Sequence, residues 1–353
     1  MLSTLRPVAA AGFDVTIAAP GDGPLALALS DRHIPLVAWQ TCGSDGERLP
    51  LVQLRSGVSA ILRQTQPDFL HANSLSTARI SGPVAAECRT PSIGHLRDIL
   101  KLSAQAIADL NQHRRLVAVS QATRDFHVAQ GLDASKCVVI NNGLNLTVFQ
   151  PRQPTGYLHS ELLLELTARF IAVIGQLGLR KGTDVALAAA QQIAELAPNV
   201  HWLIVGERTS TKVESHEFEF SLKAIAAQSP LAGRVHFLGN RTDVPQLLNE
   251  CTLLVHAARQ EPLGRVLLEA AASGLAIIAT DVGGTREIFP DESNAACLIA
   301  ADNPNQLAAA VFSLLRDEPR RAALATAARR RAETTFDIQT AAARLVGLYR
   351  QLL

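Results

Sequence analysis

Residues 261–289 read EPLGRVLLEAAASGLAIIATDVGGTREIF: two carboxylates, a helix-forming run, a short β-rich run, a glycine pair and the start of another helix. Pro262 suits the first position of a helix, because its φ is already helical and its missing N–H would have no partner there. The amides of Leu263, Gly264 and Arg265 then point out of the helix start, and Gly264 admits a close ligand, which makes an anion site. With a rise of about 1.5 Å per residue, Glu269 lies about 12 Å beyond Glu261 on a regular helix. The two carboxylates are then not a touching acid–base pair. Either they hold separate polar parts of one long ligand, or Glu269 is a helix-surface residue and Glu261 a helix-start charge. LAIIATDVGGTREIF is a strand, a glycine turn and a helix beginning near Thr285. Gly283 and Gly284 can take positive φ and turn their amides to a ligand, or simply permit the turn.

Strand, turn and helix recur outward in both directions. FDVTIAA (13–19), IPLVAW (34–39), PDFLHA (67–72), RLVAVS (115–120) and CVVINN (137–142) form one series. FIAVIG (170–175), HWLIVG (201–206), RVHFLG (234–239), TLLVHA (252–257), LAIIAT (275–280) and AACLIA (295–300) form a second. Short, nearly continuous apolar runs are strands of a parallel sheet covered on both faces, so the class is α/β, doubly wound, with ligands at the carboxyl ends of the strands. Apolar spacing predicts helices over 184–197, 263–273, 305–316 and 319–333, with Asn303 capping the third ahead of Pro304. Between the two series, VFQPRQPTGY (148–157) breaks regular structure with Pro151, Pro154 and Gly156 and marks the domain boundary.

Length and composition agree. At 353 residues the chain outgrows one core, and 48% hydrophobic against 18% charged residues excludes disorder. A net charge of +1 gives no indication of nucleic acid or an anionic membrane as partner. Five scattered cysteines without a C-x-x-C pair suggest neither disulfides nor zinc, and a reducing cytoplasm fits them. No secretory signal opens the chain and no apolar run reaches the roughly 18 residues of a membrane span.

Two further stretches can carry chemistry. In GQLGLRKGTDVALAAA (175–190) a strand ends at Gly175, and Arg180-Lys181 precede Gly182 and a helix. Lys181 there can neutralise phosphate, or be a solvated surface lysine. His95, in PSIGHLRDIL at the end of a candidate strand, can accept a hydrogen bond or a proton, though a lone histidine is more often structural. The chain has no G-x-G-x-x-G, P-loop, H-E-x-x-H or D-x-D motif, which leaves dinucleotide dehydrogenases, P-loop enzymes and an obvious metal site without support.

Glu261 and Glu269 with seven residues between them, followed by GLAIIATDVGGTREI, resemble the E-x7-E region of retaining glycosyltransferases of family 4, which have the GT-B fold. The resemblance extends to GQLGLRKG, HWLIVGE, VHFLGNRTDVPQLL, LVAVSQATRDF and VVINNGLNLTVF; it covers nearly all of 67–353 and is weak before that. It implies two Rossmann-like, doubly wound domains facing a central cleft: an acceptor-side domain of residues 1–150, joined by the C-terminal helix 337–353, and a nucleotide-sugar domain of residues 151–336. Leu345, Leu348, Tyr349 and Leu352 stand at helical spacing for packing that last helix on the first domain, and 148–157 and 334–340 are candidate hinges. The implied reaction moves a sugar from a nucleoside diphosphate to a hydroxyl of a glycan, lipid or polyol, with retention and without a metal or other cofactor. The implied setting is cytoplasmic, with at most peripheral contact with the inner face of the membrane. By the same analogy Glu269 holds the ribose and Glu261, with the amides after Pro262, holds the donor sugar. Lys181, with Arg180, meets the diphosphate, Asn240 and Arg241 lie by the base, and His95 faces the reacting carbon. Gly206, Gly283 and Gly284 line the donor.

Two features depart from the family pattern. Gln176 stands where members carry an arginine, so Arg180 is expected to supply that charge. TLRPVAAAGFDVTI (4–17) reads as the end of a helix leading into what would be the second strand. The family's first strand and glycine-rich loop are therefore expected to be absent, unless the domain simply begins with a helix, and the alternative reading is a shortened, nucleotide-sugar-binding chain with little transfer activity.

Overall fold

In a computed structural model describing residues 2–353, the chain forms two compact units. One runs up to Gly143 and includes Ile338–Leu353; the other is Leu144–Asp337.

The first unit begins with a helix, Leu2–Ala10, followed by β1 (Ile17–Ala19) and β2 (Leu36–Ala38). It continues through β3 (Leu70–Ala72), β4 (Ser92–Leu96), β5 (Arg115–Ala118) and β6 (Cys137–Val139). The alternation predicts one sheet, but the unit holds two. β1 and β2 pair in parallel only with each other, and β3-β4-β5-β6 form a separate parallel sheet. The residues leading into β1 are drawn into side-chain packing: Phe13 and Val15 lie with Phe69 against the helix Ile338–Arg350. That helix buries Leu345, Leu348 and Tyr349, and the turn after it Leu352, in a cluster with Ile93 and Val117.

The second unit is a six-stranded parallel sheet of β7 (Arg169–Ile174), β8 (Val200–Val205), β9 (Val235–Gly239), β10 (Cys251–His256), β11 (Ala276–Thr280) and β12 (Cys297–Ile299). Its order is β12-β11-β10-β7-β8-β9. The winding therefore reverses between β7 and β10, and their carboxyl ends open a crevice where ligands of doubly wound sheets bind. Helices cover both faces, so the strands are mainly apolar, and every residue of β11 is buried. Ala186, Ala189 and Ala190 are fully buried and let the helix Thr183–Ile193 lie close to Val311 and Leu314 of the helix Pro304–Arg316. The latter starts where its cap predicts, with the Asn303 side chain accepting the Gln306 amide at 2.9 Å.

Candidate functional site

Three loops meet at the switch point of the second unit. After β7 the chain turns through a single 3-10 turn, Leu179–Lys181, into Gly182. Gly182 has φ +65°, and a Cβ there would lie 1.9 Å from the Ala257 carbonyl oxygen, so only glycine lets this loop touch the one after β10. Arg259 binds the two together. Its amide donates to the Arg180 carbonyl at 2.9 Å and its Nη1 to the Leu179 carbonyl at 2.6 Å. The same guanidinium reaches both Asp184 oxygens at 2.9 and 2.7 Å and Asp302 at 2.6 Å. The loop after β11 closes from the other side: the Gly284 amide donates to the Glu261 carbonyl at 3.0 Å.

At the centre Lys181 Nζ donates to Glu261 Oε2 at 2.5 Å, and His256 Nε2 lies 2.9 Å from the same oxygen. The lysine side chain is 17% exposed, the glutamate 7% and the histidine 3%. Burial drives His256 below its ordinary range, so it is a neutral imidazole that donates its Nε2–H. Burial also works against the Glu261 charge. The His256 hydrogen bond and the Lys181 ammonium outweigh it and hold the carboxyl down at about 2. The site is thus an ionised carboxylate gripped through one oxygen by a cation and a neutral donor. Spacing offered no sign of His256; it stands next to last in the apolar run TLLVHA, as the final residue of β10, and only the folded loop brings Glu261 to it.

The approach to Glu261 differs from the sequence reading in three respects. The helix does not start at Pro262. It runs Arg265–Ala272 with Gly264 before it at φ +107°, because the Glu261 peptide is tied to the β11 loop and Gly264 takes a left-handed turn. The first-turn amides with no preceding turn to bond are therefore those of Arg265 and Val266, and no side chain caps this helix start. Glu269 accordingly sits only one turn beyond Arg265, about 6 Å along the axis. Its Oε1 accepts from Arg265 Nε at 2.8 Å, and burial raises its pKa above the ordinary 4.5 in spite of that arginine. Of the two glycines only Gly283 has positive φ, +53°, and a Cβ on it would lie 1.9 Å from the Glu261 oxygen. Gly284 has φ −81° and its amide is spent on Glu261, so the pair serves loop packing. The helix beyond it is a single turn, Thr285–Ile288, too short for an appreciable dipole.

Other expected site residues are engaged within the protein. Gly206, at φ +125°, brings β8 against β7, where a Cβ would meet the Gly175 carbonyl oxygen at 2.1 Å. Asn240 donates its side-chain amide to Glu207 at 2.9 Å. Arg241 is clamped between Glu161, at 2.6 and 3.0 Å, and Asp243, at 2.8 Å to each oxygen, which leaves its fork turned into the protein. Arg180 Nη1 donates to the Gln260 carbonyl at 3.3 Å, near the turn it was expected to charge, and Gln176 pairs with Thr209. A cavity of about 270 Å³ bounded by Arg152, Tyr157, Asp243 and Glu250 shares none of the three loops.

In the first unit His95 is the penultimate residue of β4 and is buried. Its Nδ1 lies 3.2 Å from His71 Nε2 and 3.4 Å from Arg97 Nη2. Arg97 in turn donates to the Asn73 carbonyl and side chain, at 2.8 Å each, and to Asn142 at 3.1 Å. Burial, followed by the Arg97 charge and His71, holds His95 well below its ordinary pKa, so it is neutral. Among the described residues no group of three or more His, Cys, Asp or Glu is disposed to hold a metal, and no helix is long and apolar enough to cross a membrane.

Comparison with known proteins places these features. The family described as "Glycosyltransferase Family 4" matches residues 2–148, and "Glycosyl transferases group 1" matches residues 158–331. Similar curated proteins include the lipopolysaccharide core biosynthesis mannosyltransferase LpsB of Rhizobium meliloti, 27% identical over 73% of this chain and 75% of its own length. The spore coat protein SA of Bacillus subtilis is 29% identical over 61% of this chain and 59% of its own length. The alpha-maltose-1-phosphate synthase of Mycolicibacterium smegmatis is 27% identical over 67% of this chain and 63% of its own. Among solved structures, Anabaena Alr3699/HepE in complex with UDP-glucose superposes with a TM-score of 0.85 at 23% identity, covering 100% of this chain and 96% of that one. WaaG, a glycosyltransferase involved in lipopolysaccharide biosynthesis, gives 0.73 at 19%, covering 98% and 94%. With the two family matches taking in nearly the whole chain and these structures sharing its architecture, the protein belongs to the family 4 glycosyltransferases and has the GT-B fold.

Proposed function

We propose that this protein is a retaining, metal-independent transferase that moves a sugar from a nucleoside diphosphate to a hydroxyl of a glycan, lipid or polyol. The observation that carries the reading is the Lys181–Glu261–His256 cluster at the β7/β10 switch point, beside the uncapped start of the helix Arg265–Ala272. A diphosphate entering there meets the Lys181 ammonium and the free amides of that helix start. These are the groups that stabilise charge as it builds on a leaving diphosphate. The Glu261 carboxylate, ionised and held by His256, accepts hydroxyl donors of the sugar, and Glu269 accepts those of the ribose. Solved relatives in complex with UDP and UDP-glucose, and a relative described as a mannosyltransferase, support a nucleotide-sugar donor. In this reading the base is met by backbone and loop shape and not by Arg241, whose fork is committed.

Calorimetric titration against UDP, GDP and ADP tests the reading, followed by turnover of the matching sugar nucleotide. Binding is expected to be unchanged by EDTA. Glu269→Ala is expected to weaken nucleoside diphosphate binding by about 2 kcal/mol, the contribution of a charged hydrogen bond. The hydroxyl-accepting form of Glu269 is the ionised one, and its pKa is raised above 4.5. Affinity should therefore fall, as pH is lowered, before an ordinary glutamate would protonate. Binding without transfer to any hydroxyl acceptor would assign the chain as a nucleotide-sugar-binding protein instead, and loss of binding in EDTA would overturn the metal-free mechanism.

A further inference from the structure

At the carboxyl ends of β3 and β4 a chain of hydrogen-bonding groups determines its own proton positions. Tyr349 Oη, from the helix Ile338–Arg350, lies 2.6 Å from His71 Nδ1, and His71 Nε2 lies 3.2 Å from His95 Nδ1. The two imidazoles are stacked, 5.4 Å between centroids with 13° between planes. Arg97 Nη2 approaches the same His95 Nδ1 at 3.4 Å, and a guanidinium can only donate. His95 Nδ1 must therefore carry a lone pair, and since the ring is neutral its proton sits on Nε2. His71 Nε2 faces that lone pair and must hold a hydrogen, which leaves His71 Nδ1 as an acceptor for the Tyr349 hydroxyl. Burial and the Arg97 charge, which hold His71 down at about 3 and His95 well below its ordinary range, keep both rings uncharged. Every nitrogen in the chain is paired except the last. His95 Nε2 is buried and has no hydrogen-bond partner among the described residues.

We propose that Tyr349, His71 and Arg97 are positioning residues that lock His95 in its Nε2–H tautomer, so that it acts on the substrate as a hydrogen-bond donor to an acceptor oxygen and not as a base. This reverses the role that the sequence alone suggests for His95, and it rests on the transferase reading for the identity of the substrate. The C-terminal helix thereby supports the chemistry of a residue 254 positions earlier in the chain, its single hydroxyl satisfying the far nitrogen of the His71 ring.

The tautomer can be read without substrate. In the full chain labelled with 15N-histidine, both His71 and His95 are expected to carry their proton on Nε2 at neutral pH. A proton on His95 Nδ1, or an imidazolium, overturns the proposal. Tyr349→Phe keeps the ring packed on Phe13 and Phe69 and removes only the hydroxyl. It is expected to leave His71 Nδ1 without its donor, loosening the ring that faces His95, and to lower kcat while the donor KM changes little. Unchanged kcat overturns the positioning role of Tyr349. His95→Gln offers an amide that accepts from Arg97 at one end and donates at the other, but cannot take up a proton. It is expected to retain measurable transfer, whereas His95→Ala loses about 100-fold, as on removal of a donor to developing charge. Equal losses in the two variants would make His95 a base and overturn the assignment. Absence of sugar-nucleotide binding in the titration above would sink the transferase reading, and the NMR result would still decide the tautomer.

Discussion

Lys181→Ala is expected to destabilise the second unit by about 3 kcal/mol, because it leaves a buried carboxylate with no counter-ion. The same substitution should weaken nucleoside diphosphate binding by about 2 kcal/mol, the contribution of a charged hydrogen bond to phosphate. The two losses separate in the double variant Lys181→Ala/Glu261→Gln, where no charge is buried unpaired; stability should largely return while affinity does not. Urea unfolding and calorimetry measure them. Unchanged affinity in Lys181→Ala removes the lysine from the diphosphate site, whatever its effect on folding. The pair also makes stability depend on pH with a defined sign. Glu261 has a folded pKa of about 2 against an ordinary 4.5. Its contribution is present in full above pH 4.5 and is lost as pH falls from there towards 2, by about 3 kcal/mol at one pKa unit per 1.36 kcal/mol. Glu261→Gln should flatten that part of the acid-unfolding curve.

Gly283→Ala should destabilise by about 3 kcal/mol, through left-handed backbone strain together with overpacking. Its Cβ would stand 1.9 Å from the Glu261 carbonyl oxygen, so the β11 loop must retreat and take the Gly284–Glu261 hydrogen bond with it. Nucleotide affinity is expected to fall more than stability alone accounts for, since the displaced segment carries Glu261. Gly182→Ala, equally close to Ala257, should behave alike. Gly178→Ala is the control: it lies in the same loop, with open space within 4 Å of its Cβ, and should be near neutral. Similar urea midpoints for Gly283→Ala and Gly178→Ala would mean that the loops are not locked together as described.

Much of the fold was legible because buried parallel strands leave continuous apolar runs. All eleven such runs hold strands, and so does the stretch around His95. β4 gave a weaker signal because SIGHL fills its space with polar and small residues. Ser92 bonds to the buried His113 at 2.8 Å, and Gly94 makes room for His113 and Leu116. The division of the first unit into two sheets was not legible, since it depends on which strand edges find partners and not on local pattern. At the site, the glutamates, the lysine and the glycines all stood out by type and spacing. The helix start did not: Pro262 is a sound local signal, overridden by the clamp on the Glu261 peptide.

Composition and periodicity alone determined the α/β class, the strand succession and the loops in which chemistry could reside, because these follow from local burial and backbone preference. Only the tertiary structure decided the partnerships. Lys181 and Glu261 are 80 residues apart and meet because the sheet reverses its winding between β7 and β10. His256 enters the same cluster because the chain folds back within a few residues of β10. Arg241 passed from candidate ligand contact to internal clamp because two carboxylates from different elements close on it. Hydrogen bonds and ion pairs act over about 3 Å, and no one-dimensional pattern records which side chains come that close.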